Sequence, residues 1–313
     1  GGIRMIYTLT LNPAVDRELA VDKIIFDTVL RASEWRVDCG GKGFNVARML
    51  QSLGTSSVAL GFAAGKSGAL LDDTLRLLGI ETDFVWIGGE TRTNVCIVSA
   101  DHAHHVKVNE PGPTVSETDL AKLIQKVRDL ARTDDGWVLA GSLPPGVPPA
   151  FYAEIITILQ SAGARVFLDT SDEALRQSCP AKPFLVKPNA AEAQELTGLP
   201  INTPAEIAAV GAAIQAMGPG NVIISLGKQG ALLVNGQKAW LAASPEIVER
   251  NPIGAGDSMV AGLVWGLSQG HSMPEALCRG IACGAATASQ GGTAVGSLIQ
   301  VNELLSQVRL SEV

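Results

Sequence analysis

Aromatic side chains are scarce, at 4% of the 313 residues, so aliphatic and small residues must fill the core of this chain. Cysteine is sparse too. Cys39, Cys96, Cys179, Cys278 and Cys283 form an odd, scattered set without a CxxC pair, which argues against a zinc ribbon or a disulfide frame and fits reduced thiols. No apolar run approaches the ~20 residues a membrane span requires, and no signal-peptide core is visible, so a cytoplasmic protein without a membrane partner is expected. Positive charge is in deficit. A formal net charge of -7 offers no footprint for nucleic acid or an anionic membrane, and an anionic substrate would have to be met by local cations. His102, His104 and His105 lie in a polar stretch between strand-like runs and read as a solvated turn rather than a metal site. Gly1 to Arg4, ahead of Met5, are expected to matter little to the fold.

What is abundant is glycine, 34 residues, within a composition that is 46% hydrophobic, as suits close packing of helices on a sheet. The spacing predicts a strand at 6–11, irregular β segments to 38, a helix at 45–53, a strand at 58–62 and a helix at 69–78. A second β-rich interlude follows, with strands at 84–87, 95–99 and 105–108. From Ser116, which with Asp119 gives an N-cap signal, helices and strands alternate to the end, as a parallel sheet demands. Asn235-Gly236 marks a hairpin between 231–234 and 237–241, and two or three helices close the chain. The two β interludes are expected to form one small sheet over the mouth of a large α/β core.

The segment most committed to chemistry is Gly254-Ala255-Gly256-Asp257-Ser258-Met259-Val260-Ala261-Gly262. A small-residue turn runs straight into a helix whose first N–H groups lack internal partners, and these can seat a phosphate or a developing oxyanion. Asp257 either caps the helix or accepts a proton from a hydroxyl during phosphoryl transfer. Cys39-Gly40-Gly41-Lys42-Gly43-Phe44-Asn45 is either a tight strand-to-helix turn or a close backbone approach to a ligand, with Lys42 a cation and Asn45 a two-way hydrogen-bonding group. Arg92 is a solvated charge or, if it faces the cleft, a phosphate fork.

Lys187-Pro188-Asn189-Ala190-Ala191-Glu192 has the spacing of a helix cap. Gly141-Ser142-Leu143-Pro144-Pro145-Gly146 and Ser225-Leu226-Gly227 end two further strands. These loops share the carboxyl ends of parallel strands, where open α/β sheets bind ligands. Gly65-Lys66-Ser67 and the strand ending in Asp169 mimic a P-loop and its acidic strand, but three residues rather than four separate Gly61 from Gly65, so a P-loop ATPase fails on spacing.

Together with Thr10-Leu11-Asn12-Pro13-Ala14-Val15-Asp16 and Thr91 to Asn94, this ordered set resembles the PfkB carbohydrate kinase family of ribokinase-like enzymes, in its 1-phosphofructokinase and tagatose-6-phosphate kinase branch. The resemblance implies a three-layer α/β/α core (5–12, 39–82 and 114–311) with a mostly parallel central sheet, and a discontinuous β-sheet lid (13–38 and 83–113) that often serves in homodimer contacts. It implies ATP as phosphoryl donor, Asp257 as catalytic base and the amides of Gly254, Ala255 and Gly256 as the anion hole. Asp16, Gly41, Lys42, Asn45, Arg92 and Ser142 would bind a phosphorylated ketohexose. Lys187 would lie near the ATP phosphates, Ser225 and Gly227 along the nucleotide, and Asn189 and Glu192 beside Mg²⁺ through water. Glu110-Pro111-Gly112 occupies positions where some tagatose-phosphate kinases carry lysine, which favours fructose 1-phosphate, with tagatose 6-phosphate and fructose 6-phosphate as the alternatives. A non-catalytic sugar-phosphate sensor is the alternative of a different class; it would have no use for Asp257.

Overall fold

The computed structural model describes residues 1–101 and 103–313; His102 of the histidine cluster lies outside the described residues. The chain opens with strand β1 (Ile6–Thr10), every residue of which is buried, and passes into β2 (Ala14–Val21) and β3 (Glu34–Gly40). Helix α1 (Lys42–Ser52), β4 (Val58–Ala63), α2 (Gly65–Leu77), β5 (Glu81–Thr82) and β6 (Val85–Trp86) follow, then β7 (Arg92–Ser99) and β8 (His105–Asn109). Regular alternation then sets in: α3 (Glu117–Leu130), β9 (Gly136–Ala140), α4 (Phe151–Ser161), β10 (Arg165–Asp169), α5 (Asp172–Ser178), β11 (Leu185–Val186), α6 (Ala190–Thr197), α7 (Pro204–Ala216) and β12 (Asn221–Ser225). The chain ends with β13 (Ala231–Asn235), β14 (Lys238–Ala243), α8 (Ala255–Ser268), α9 (Met273–Ala288), α10 (Leu298–Leu305) and β15 (Arg309–Glu312).

The central sheet runs β15-β14-β13-β12-β11-β10-β9-β1-β4-β5, with β6 also beside β4. From β12 to β5 and β6 the pairings are parallel, and only β13, β14 and β15 run antiparallel. Successive side chains of a strand point to opposite faces. Trp137 and Leu139 of β9 therefore join one apolar cluster with α3, α4 and α7, while Val138 and Ala140 join another with α1, α8 and α9. The three layers that the resemblance implies follow.

A separate four-stranded sheet, β3-β2-β7-β8, is built from the two N-terminal excursions. Its two faces differ. The registers put Asp16, Glu18, Arg36, Asp38 and Asn94 on one face, and Leu19, Trp35, Val37, Ile97 and Val106 on the other.

Several sequence expectations need correction. Residues 84–87, placed with the small sheet, pair as β6 with Phe62 and Ala63 of the core instead. Helices α1 and α2 begin at Lys42 and Gly65, ahead of the predicted 45 and 69, because their glycine-rich first turns hide the apolar period. The hairpin loop falls at 236–237 rather than 235–236. Asn235 stays in the ladder opposite Asn221, to which it also donates a side-chain hydrogen bond of 2.7 Å. Strand β15 was not anticipated; its exposed residues carry no alternating pattern. The segment 1–4 is part of the fold: Ile3 is buried, and Arg4 Nε lies 3.3 Å from the wholly buried carboxylate of Asp135. The Ser116 and Asp119 signal does form a reciprocal capping box.

Candidate active site

Parallel register brings Thr10, Ala140 and Asp169 side by side at the carboxyl ends of β1, β9 and β10. The loops leaving those ends, and those after β11 and β12, carry most of the residues singled out in the sequence.

Helix α8 supplies the centre. Gly254 adopts φ 82°, a left-handed conformation that glycine takes without strain, and turns the chain into the helix. Among the described residues, the N–H groups of Gly254, Gly256 and Asp257 have no acceptor, whereas Ala255 N–H is engaged by Pro252 O at 3.2 Å. The open donors are thus shifted from the expected set: Gly256 and Asp257 at the helix start, with Gly254 before them. Gly262, the last residue of the motif, has a packing role. A Cβ there would lie 2.7 Å from Gly280 Cα, so its absence lets α8 and α9 cross closely.

Asp257 is buried, and Asn45 Nδ2 donates to its Oδ2 at 2.9 Å. Burial pushes its pKa up to about 6; repulsion from Asp169 adds to this, and Lys42, Asn45 and Lys187 oppose it. Asp169 in turn lies between two ammonium groups, Lys42 Nζ at 3.5 Å and Lys187 Nζ at 3.7 Å. Lys42 is pulled down by burial, but the charges of Asp169, Asp257 and Glu192 outweigh that and hold its pKa above the usual value. Lys187 is buried, and its Nζ lies 3.5 Å from where a Cβ on Gly256 would stand. Two cations therefore flank the start of α8.

Asn189 caps α6, accepting from Glu192 N–H at 2.8 Å while its Nδ2 donates to Glu192 Oε1 at 2.9 Å. The capping reading holds, and the same pair stands beside the cluster: burial, then repulsion from Asp169, raises the Glu192 pKa. Ser225 bridges to Asn189 across the strands, and with Gly227 it lines a cavity of about 570 Å³ that also touches Ala255 and Gly256. Pro245, Ile247, Met259, Ile281 and Ala285 supply its apolar wall.

The small sheet joins this centre through β3, which runs directly into α1 and so to Asn45. Asp16 sits directly against Gly40, where any Cβ would overlap its carboxylate. Burial raises its pKa against the pull of Asn94 and Arg92. Arg92 lies on the same face of the small sheet as Asp16 and Asn94, donating to Asn12 O at 3.0 Å and Glu110 O at 3.3 Å. Ser142 lies exposed two residues beyond Ala140. The arrangement is a largely apolar cavity beside a buried carboxylate that stands among open amides and ammonium groups. Such a centre can hold two anionic ligands and take a proton from one of them.

The family described as pfkB family carbohydrate kinase matches residues 9–299 of this sequence. The chain belongs to that family. It is 36% identical over 307 residues to a 1-phosphofructokinase of Bacillus subtilis, covering 98% of this chain and 99% of the relative. A tagatose-6-phosphate kinase of Staphylococcus epidermidis is 32% identical, with 99% of this chain and 100% of that one covered. Phosphofructokinase-2 of Escherichia coli in complex with substrates and products superposes with a TM-score of 0.91 at 29% identity, covering 97% of this chain and 99% of that one.

In this carbohydrate kinase the Gly65-Lys66-Ser67 mimic is accounted for by packing. The Glu90 carboxylate accepts from Ser67 N–H at 2.6 Å and occupies the start of α2, where a phosphate would have to sit. Asp169, set aside in the sequence as part of that mimic, is the residue the sequence reading missed. Its position at the end of a buried strand was the available signal. The apolar wall of the cavity was missed as well; Pro245 and Ile247 lie in a loop with no pattern, and Ile281 and Ala285 look like ordinary helix core.

Proposed function

We propose that this chain transfers the γ-phosphoryl group of ATP to the free primary hydroxyl of a ketohexose monophosphate, with fructose 1-phosphate giving fructose 1,6-bisphosphate as the preferred reaction. The observation that supports it most is the buried Asp257 carboxylate beside the open amides at the start of α8. An aspartate held near pH 6 is a better proton acceptor than an exposed one, and a loose phosphoryl-transfer transition state asks only for an acceptor in line. The amides of Gly254, Gly256 and Asp257 hold the transferring group, and Lys187 neutralises the triphosphate. Ser225 and Gly227 flank the nucleotide, whose base fills the apolar cavity.

On the sugar side, Arg92 grips the phosphate, while Asp16, Gly41, Lys42, Asn45 and Ser142 hold the rest of the sugar. Among the described residues no three His, Cys, Asp or Glu side chains converge to cage a metal. Asn189 and Glu192 fit Mg²⁺ through water, since that ion keeps several waters and prefers substrate phosphate oxygens. Bound there, Mg²⁺ would screen the negative charge of the triphosphate. Glu110, Pro111 and Gly112, packed against Asn12 and Arg92, leave that edge of the sugar site without a lysine, which favours fructose 1-phosphate over tagatose 6-phosphate.

We further propose that 13–38 and 83–113 act as a lid, with its β6 portion anchored to the core, and that two copies meet through it in a homodimer. The apolar face of the small sheet supports this: Trp35 is 66% and Val108 62% exposed, an uncovered patch continuous with Leu19, Val37 and Ile97. No helix among the described residues is long and apolar enough to cross a membrane, which accords with a cytoplasmic place for this reaction. A coupled assay of ADP release over free and phosphorylated ketohexoses tests the reading. It predicts the highest kcat/KM on fructose 1-phosphate; turnover confined to an unphosphorylated sugar, or absent, contradicts it.

A further inference from the structure

The turn that opens α8 is tied to a remote segment. Arg250 and Asn251 N–H both donate to Ala288 O, at 2.8 and 3.1 Å, anchoring the approach to the turn on the end of α9. The Asn251 side chain then works in two directions. Its Oδ1 accepts from Ile253 N–H at 3.0 Å, shaping the residue before Gly254, and its Nδ2 donates to Gly292 O at 2.5 Å. A second tie lies inside the helix, where the Ser258 and Thr287 hydroxyls are 2.7 Å apart and Gly296 N–H donates to Thr287 Oγ1 at 3.1 Å. The segment 292–296 therefore holds the first turn of α8 from both sides.

The same segment reaches the sugar side. Thr293 Oγ1 donates to Asp38 Oδ1 at 2.9 Å, and Arg48 of α1 donates to Thr293 O at 2.9 Å. Asp38 stands opposite Asp16 in the β2 and β3 ladder, on the polar face of the small sheet. None of these residues reaches the cleft in the assignment above, yet together they join the anion seat to the strand beside the sugar site.

We propose that Asn251 and Thr293 are positioning residues for phosphoryl transfer: through Gly292 they lock the amide turn at 254–257 to strand β3, so that the two halves of the site hold one geometry. This rests on the kinase reading given above. Misplacing preorganised donors costs rate more than ground-state binding.

The test compares Asn251→Ala, Asn251→Asp, Thr293→Val and the double variant Asn251→Ala/Thr293→Val with the wild type, by steady-state kinetics on fructose 1-phosphate and by hydrogen exchange of the ligand-free proteins. Asn251→Ala is expected to lower kcat by about tenfold, with KM for the sugar phosphate changed less than about twofold. Asn251→Asp, which keeps the acceptor for Ile253 N–H but loses the donor to Gly292, should fall between. The double variant should lose no more than the worse single, since both substitutions open one linkage. Exchange should quicken at Ala255 and Ser258, whose N–H groups are bonded to Pro252 O and Gly254 O, and at 36–40 together in each single variant. Should Asn251→Ala not fold, Asn251→Asp and Thr293→Val carry the same test. Unchanged kcat in both, multiplicative losses in the double variant, or exchange that quickens on one side only would overturn the linkage. A wild type inactive on every sugar phosphate overturns the proposed function instead, and the exchange data still decide the linkage.

Discussion

Asn45 Nδ2 and Asp257 Oδ2 lie 2.9 Å apart although 212 positions separate them in the chain, so the first turns of α1 and α8 meet at one carboxylate. That hydrogen bond favours the charged form of Asp257. Burial and the Asp169 charge oppose it and win, leaving the pKa at about 6. An acid held above its ordinary value is a group maintained against stability, as functional sites often require.

Asp257→Asn should cut turnover by at least about 100-fold while nucleotide affinity changes little. It should also stabilise the protein. The raised pKa means that the folded state holds the proton more tightly than the unfolded chain, so stability falls as pH rises from about 4 through about 6 and the full penalty stands above that. Relief of that penalty is worth on the order of 1–3 kcal/mol. Urea unfolding at pH 8 should show the variant more stable, and at pH 4 the difference should vanish. Equal stability at both values would remove the burial argument.

The acid limb of kcat/KM should fall near pH 6, where Asp257 takes up its proton and ceases to be a base. The sugar phosphate also titrates at about pH 6, so the limb alone proves little. Asp169→Asn separates the two. Removing that neighbouring charge lowers the Asp257 pKa and should move the limb to lower pH, even as turnover drops through the loss of a partner for Lys42 and Lys187. A limb that stays in place would assign it to the substrate.

Arg92→Ala should raise KM for the sugar phosphate about tenfold or more, as expected when a phosphate loses its guanidinium fork, and leave KM for ATP within about twofold. An effect confined to ATP would contradict a place for Arg92 in the sugar-phosphate site.

Much of this candidate site is legible in the sequence. Gly254 to Asp257, the Gly40 to Asn45 loop and Lys187 to Glu192 are local patterns, and local patterns survive in sequence. What was lost is what depends on distance. Asp169 becomes a site residue only because β10 pairs with β9 in a register that sets it between two lysines from other loops. The Ala255 amide looked like a free donor until the fold supplied Pro252 O. Val85 and Trp86 have the β character of the lid strands, and only the choice of partner strand sends them to the core. The division of Gly65-Lys66-Ser67 from true phosphate loops was already visible in its spacing, and the Glu90 carboxylate gives the reason in space.

Lys66→Ala is therefore expected to keep kcat and both Michaelis constants within about twofold of wild type, in the range of surface substitutions. A near-total loss of turnover, measured in the same ADP-release assay, would restore the P-loop reading.

Trp35→Glu places a charge in the uncovered apolar face of the small sheet and should shift a dimer to monomer in sedimentation equilibrium, since a buried, unpaired carboxylate costs several kcal/mol. A dimer of unchanged dissociation constant would place the interface elsewhere.

The central claim is best tested by the crystal structure of the chain with a nonhydrolysable ATP analogue and fructose 1-phosphate. The account predicts the terminal phosphate on the Gly256 and Asp257 amides, with the acceptor hydroxyl about 2.6–3.2 Å from an Asp257 carboxylate oxygen. A terminal phosphate seated away from the start of α8, or a sugar hydroxyl that faces another residue, would contradict it.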